Sequence, residues 1–186
     1  STEIFKECRQ VLLNHVDAFK NFTKEDVDKI SPLICNSATI STLHGCPPQE
    51  IESIANYLLT EKKMHTFIKC NPTLLGYDFA RETLDKMGYD YIAFGRFHFE
   101  DDLQYVDAVP MLTRLMKLSS DLGLEFGVKI TNTFPVDVKA GELPSEEMYM
   151  SGKSLYPLSI SLAAKLSREF DGKLRIAYSG GADAFN

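Results

Sequence analysis

Two lysines stand where lysines are costly. Lys69 lies near the end of His65-Thr66-Phe67-Ile68-Lys69-Cys70, and Lys129 lies near the end of the segment 124–130. Read as strands, these segments alternate their side chains between two faces. Phe67 and Lys69 then share one face, with Ile68 and Cys70 on the other. Gly127 and Lys129 likewise oppose Val128 and Ile130. A lysine held at a packed strand end is unfavourable unless it is paired or serves a ligand. The alternative is a side chain that snorkels its ammonium to solvent. A ligand-serving lysine would neutralise an anionic flavin or, with its pKa lowered by desolvation, form a Schiff base.

Asn71 and Asn132 follow those lysines by two and three residues. Their amides can bond the edge of a flat heterocycle with both donor and acceptor, or they can simply form turns. Cys46 precedes Pro47-Pro48 and a helical pattern, where a helix dipole would lower its pKa and favour thiolate. The alternative is a small buried hydrophobe. Gly180-Gly181 follows the apolar run Arg175-Ile176-Ala177-Tyr178-Ser179. Two residues without a Cβ let backbone N–H groups approach an anion closely, above all where a helix starts next, as the turn through Asp183 predicts. The same sequence also fits a plain strand-to-helix turn. His44, Cys46, Cys70 and His98 do not make a metal set, because Cys70 falls on the strand face opposite Lys69. The cysteines (Cys8, Cys35, Cys46, Cys70) show no C-x-x-C spacing and read as cytosolic thiols, so no metal site is expected.

The elements that must position these residues alternate. Strands are expected at 37–43, 65–70, 90–95, 124–130 and 174–179. Helices are expected at Ile51–Leu59, Tyr77–Met87, about 102–122 with a kink at Pro110, and Leu155–Leu166. The stretch from 131 to about 152, with Glu146, Glu147 and Met148-Tyr149-Met150, reads as a long lid or binding loop. Five βα units with polar residues at the strand ends predict an α/β fold. It is a partial (β/α)8 TIM-type barrel, because a doubly wound sheet would want both faces apolar. Residues 1–36 read as a helical lead-in, with an N-cap at Thr23 and a stop at Pro32, and residues 37–186 as the barrel domain. Both ends look cut, which predicts a piece of a larger multidomain protein. A net charge of −6 without a basic block argues against nucleic acid, and no run approaches the ~20 apolar residues of a membrane span.

Five motifs carry a resemblance. They are Thr42-Leu43-His44-Gly45-Cys46-Pro47-Pro48, Lys69-Cys70-Asn71-Pro72-Thr73, Lys129-Ile130-Thr131-Asn132-Thr133, Glu147-Met148-Tyr149-Met150-Ser151-Gly152 and Tyr178-Ser179-Gly180-Gly181-Ala182. In this order they resemble the YgfK family of selenate-reductase-type iron–sulfur flavoproteins. The N-terminal part of that family is similar to the FMN-linked barrels of dihydroorotate and dihydropyrimidine dehydrogenases. The resemblance implies that Lys69 contacts FMN, and that Ser151-Gly152 and Gly180-Gly181 are flavin- and phosphate-contacting turns. It also implies that Cys46 lies near the catalytic position, and that 4Fe-4S clusters and an FAD/NAD(P)H module belong to regions outside this chain. In the dehydrogenases the Asn-Thr pair ends the strand after the lysine strand. Here Asn132-Thr133 comes one strand later, as if a βα unit were inserted.

Two function classes follow. The first is a cytoplasmic oxidoreductase domain with FMN held by Lys69, Asn71, Lys129, Asn132, Ser151, Gly152, Gly180 and Gly181, and Cys46 as catalytic residue. It would transfer electrons to a small oxidised substrate and work with other domains of its own chain and a molybdenum-containing subunit. The second is a non-catalytic barrel that docks electron-transfer domains. A Schiff-base lysine enzyme is a more distant third.

Overall fold

A computed structural model of the chain describes residues 2–41 and 45–182. The end of the first expected strand, His44 and the expected helix start at Asp183 lie outside the described residues. Residues 1–36 and 37–186 form two compact units.

In the first unit, α1 (Glu3–Asn14) starts at Thr2, whose hydroxyl accepts the Phe5 N–H. The second helix, α2 (Lys24–Lys29), starts at Thr23 in a capping box. The Thr23 hydroxyl accepts the Asp26 N–H, and the Asp26 carboxylate accepts the Thr23 N–H. Arg9 pairs with Asp28 between the two helices.

The second unit runs β1 (Ser37–Ser41), α3 (Pro48–Thr60), β2 (His65–Cys70), α4 (Tyr77–Lys86), α5 (Phe97–Asp101), α6 (Tyr105–Asp121), β3 (Phe126–Ile130), β4 (Phe134–Asp137), β5 (Glu147–Met150), α7 (Tyr156–Glu169) and β6 (Arg175–Tyr178). Four strands make a parallel sheet in the order β1-β2-β3-β6. Spatial order follows chain order, without the reversal that defines a doubly wound sheet. This is the winding of a barrel wall. Helices α3, α6 and α7 cover one face. Ile51, Ala55 and Leu59, then Met111, Leu112 and Leu115, then Leu158, Leu162 and Leu166 pack on Ile68, Val128 and Ile130. The other face, with Thr39, Ser41, Phe67 and Lys69, is open or half-buried.

Two expectations need correction. Residues 90–95 are not a strand, so the described residues hold four parallel strands rather than five. The backbone of that segment is satisfied elsewhere. The Arg81 guanidinium donates to the Tyr89 and Ile92 carbonyls, and the Asp137 N–H donates to the Ala93 carbonyl at 2.8 Å. Phe94 then turns into an aromatic cluster with Tyr77, Phe99 and Phe134. Strands β2 and β3 pair directly across the gap, Thr66 with Phe126 through Cys70 with Ile130. The stretch 131–152 is also not one irregular loop, because β4 and β5 form an antiparallel hairpin within it. Pro110 sits inside α6, which continues through it. The carbonyl that loses its helical donor belongs to Val106, which is exposed.

Candidate site at the strand ends

The parallel register puts Ser41, Lys69, Lys129 and Ala177 in one row across the sheet. All four point to the face away from the helices. Neighbouring strands lie about 4.8 Å apart, so Lys69 and Lys129 are side by side on a half-buried surface. Two cationic side chains on adjacent strands of one face suit an anion shared between them. One row closer to the strand starts, Phe67 lies against Gly127. A Cβ on Gly127 would come within 2.7 Å of the Phe67 ring and 2.4 Å of the Arg175 carbonyl oxygen. The glycine thus gives the Phe67 ring a place to lie flat beside the lysine row.

The 90–95 segment leaves the sheet, so the strand carrying Lys129 and Asn132-Thr133 is the direct neighbour of the Lys69 strand. Asn132 donates its backbone N–H to the Cys70 carbonyl at 2.8 Å, and its side-chain oxygen accepts the Thr133 N–H at 3.1 Å. Its side-chain oxygen is thus engaged by the backbone of the next residue.

Beyond β3 and β6 the two chains stay joined. Thr131 N–H donates to the Ser179 carbonyl at 2.7 Å, and the Ser179 hydroxyl donates to the Ile130 carbonyl at 3.2 Å. The Thr131 and Ser159 hydroxyls share a buried 2.6 Å hydrogen bond that fastens this end to α7. A Cβ on Gly180 would meet the Ser159 hydroxyl at 2.5 Å. One on Gly181 would meet the Gly152 carbonyl oxygen at 2.3 Å and the Lys153 Cα at 2.8 Å. The two glycine turns that the sequence leaves far apart are therefore packed backbone to backbone. Both sit where a 3-10 turn, Gly152–Leu155, feeds into α7, with no acidic residue in that first turn and Lys153 within it. Backbone donors and a cation at a helix start suit an anionic group.

A third cluster was not visible in the sequence. Asp102, 4% exposed, accepts the Gly45 N–H at 2.9 Å, the Asn71 amide at 3.1 Å and the Thr73 hydroxyl at 2.7 Å. It ties the segment after β1 to the segment after β2. In the sequence Asp102 ends a Glu-Asp-Asp run that looks like a solvated charge patch. The signal that could have found it is Thr73 beside Asn71, two donors on one 3-10 turn (Pro72–Leu75). Asn71 thus spends an amide hydrogen on Asp102 rather than presenting it to the open sheet face.

Cys46 departs from the chemistry expected of it. Partial burial and the nearby Glu50 carboxylate push its thiol pKa up, not down. Pro47 is the N-cap of α3, so Cys46 lies outside the first turn, while Glu50 lies inside it. Cys70 is 2% exposed on the helix side, and burial pushes its thiol up to about 12. No helix among the described residues is long and apolar enough to cross a membrane.

A family model described as "Oxidoreductase YgfK, N-terminal TIM-barrel domain" matches residues 1–186. The chain is 54% identical over 154 residues to proteins described as "Putative oxidoreductase YgfK" from Escherichia coli (strain K12) and Escherichia coli O157:H7. That match covers 83% of this chain and spans 15% of the length of each relative. No solved structure matches.

Proposed function

The chain belongs to the oxidoreductase YgfK family, as its N-terminal TIM-barrel domain, and on that premise we propose that it is the FMN-binding barrel of a cytoplasmic iron–sulfur flavoprotein. The observation that carries this reading is the register pairing of Lys69 with Lys129 on the open sheet face. A paired cation there suits the electron-rich edge of a flavin. Phe67 beside Gly127 offers a flat apolar surface next to it. The backbone N–H groups at Gly152 and Gly180-Gly181, with Lys153, suit the phosphate. FMN would supply the electron and hydride chemistry. The chain's own residues would bind it, orient it and set its charge environment. Ser151 and Asn132 would stand at the edges of the same strand-end surface. Electrons would pass to a small oxidised substrate. The 4Fe-4S clusters and the FAD/NAD(P)H module would lie in other parts of the full-length protein.

A second reading is a barrel that keeps the fold and docks electron-transfer domains or a molybdenum-containing subunit without chemistry of its own. The environment of Cys46 speaks for it against a nucleophilic role, because a thiol pushed toward its neutral form is a poor nucleophile, although a protonated thiol still serves as a proton donor. So does the use of the Asn71 amide by Asp102. The two readings part on flavin. Extraction of the purified full-length protein, with chromatography to separate FMN from FAD, should yield one FMN per chain under the first reading. Absence of FMN supports docking.

A further inference from the structure

His98, Asp137 and Glu147 come from three separate elements, α5, β4 and β5, and offer ligand atoms that all lie within 4.8 Å of one another. Asp137 and Glu147 are direct cross-strand partners in the hairpin. Like charges opposite each other on paired strands are destabilising unless a cation lies between them. His98 is only 9% exposed, and its Nε2 lies 3.1 Å from a Glu147 carboxylate oxygen. Lys139 reaches the other acid, 3.2 Å from Asp137 Oδ2, but its side chain is 65% exposed and can swing away.

We propose that His98, Asp137 and Glu147 form a binding site for a divalent first-row transition cation. One imidazole and two carboxylates suit Mn2+, Fe2+ or Zn2+. Metal–ligand bonds of about 2.0–2.2 Å place donor atoms roughly 3–4 Å apart, so the widest pair of the three groups needs to close by about 1–2 Å at most. Three protein ligands leave coordination positions for water or a small oxygen ligand. Glu147, 42% exposed, gives the site its opening to solvent. The hairpin and α5 would be locked together by the metal, bracing the segment that leads into Asp102. Sequence spacing cannot show such a site, because its ligands are 39 and 10 residues apart in the chain, 98 to 137 and 137 to 147. The inference does not rest on the flavin reading, and its test reads metal rather than activity.

The probe is Mn2+ alone, whose preference for oxygen and imidazole ligands keeps it off thiols such as Cys8, Cys35, Cys46 and Cys70. Full-length protein is stripped with chelator and titrated with Mn2+. Free aquo-ion is followed by electron paramagnetic resonance, and wild type is compared with Glu147→Gln and His98→Ala. Loss of a direct ligand should weaken binding at this site by about tenfold or more. At free Mn2+ near the wild-type dissociation constant, wild type should therefore hold more Mn2+ than either variant. Glu147→Gln removes a partly exposed group and keeps the test valid if His98→Ala fails to fold. Equal Mn2+ stoichiometry and affinity in wild type and Glu147→Gln would overturn the site.

Discussion

Gly181 is pressed against Gly152: a Cβ on Gly181 would stand 2.3 Å from the Gly152 carbonyl oxygen, whereas one on Gly152 would meet nothing within 4 Å. Both have positive φ, +85 and +68. The two positions should therefore differ sharply. Gly152→Ala should cost about 1–2 kcal/mol from backbone strain alone. Gly181→Ala should cost that plus about 1–3 kcal/mol of overpacking. Denaturant midpoints of the two variants test this. Equal losses would mean that the two turns are not in contact.

Asp102 should be the most sensitive polar position among the described strand-end residues. Asp102→Ala strands three donors, from Gly45, Asn71 and Thr73. Each unsatisfied buried donor costs about 1–3 kcal/mol, offset where water enters. A total loss of about 3 kcal/mol or more is expected in urea unfolding. Thr73→Val, which removes one of the three, should lose roughly a third as much.

The thiols should rank by environment. At neutral pH an alkylating reagent should label exposed Cys8 and Cys35 first, Cys46 more slowly and Cys70 only on unfolding. Glu50→Gln removes one of the two causes that raise the Cys46 pKa and should speed its labelling. Mass spectrometry of a labelling time course reads the order. Cys46 labelling first would restore the activated-thiolate reading.

Cys70 should also make the protein alkali-sensitive. Its ordinary pKa of 9.0 rises to about 12 in the fold through burial. The folded state therefore keeps a proton that the unfolded state gives up. This stabilisation is fully present below pH 9.0 and is lost as pH rises toward about 12. Cys70→Ala should be less stable at pH 7 because of the lost packing, yet should lose less stability than wild type between pH 9 and 11. Parallel pH profiles of unfolding free energy would contradict the assignment.

The winding, the helix-facing side of each strand and the α2 N-cap could all be read from alternation, periodicity and Thr23 before Lys24-Glu25-Asp26. These are local signals. Residues 90–95 misled because Tyr-Ile-Ala-Phe has strand composition, while its backbone partners, Arg81 and Asp137, lie 8 or more residues away on other elements. The hairpin was hidden because Phe134-Pro135-Val136-Asp137 pairs with a segment across a nine-residue turn, 138–146, that contains Gly141 and Pro144. At the site, the residue types at 69, 129, 152, 180 and 181 were legible. Their contacts were not, since the Lys69–Lys129 pairing depends on 90–95 leaving the sheet. Asp102, Ser159 and the His98 cluster became visible only when distant segments met.

The Lys69–Lys129 pair carries the proposed flavin site. Full-length wild type, Lys69→Met and Lys129→Met are stripped of flavin and titrated with FMN, with affinity read from flavin fluorescence. Circular dichroism confirms that each variant is folded. A charge-assisted contact is worth about 1.5–3 kcal/mol, so each variant should bind FMN roughly ten- to hundredfold more weakly than wild type. Unchanged FMN affinity in both folded variants, or no FMN binding by wild type, would contradict the flavin reading and leave the docking barrel in its place.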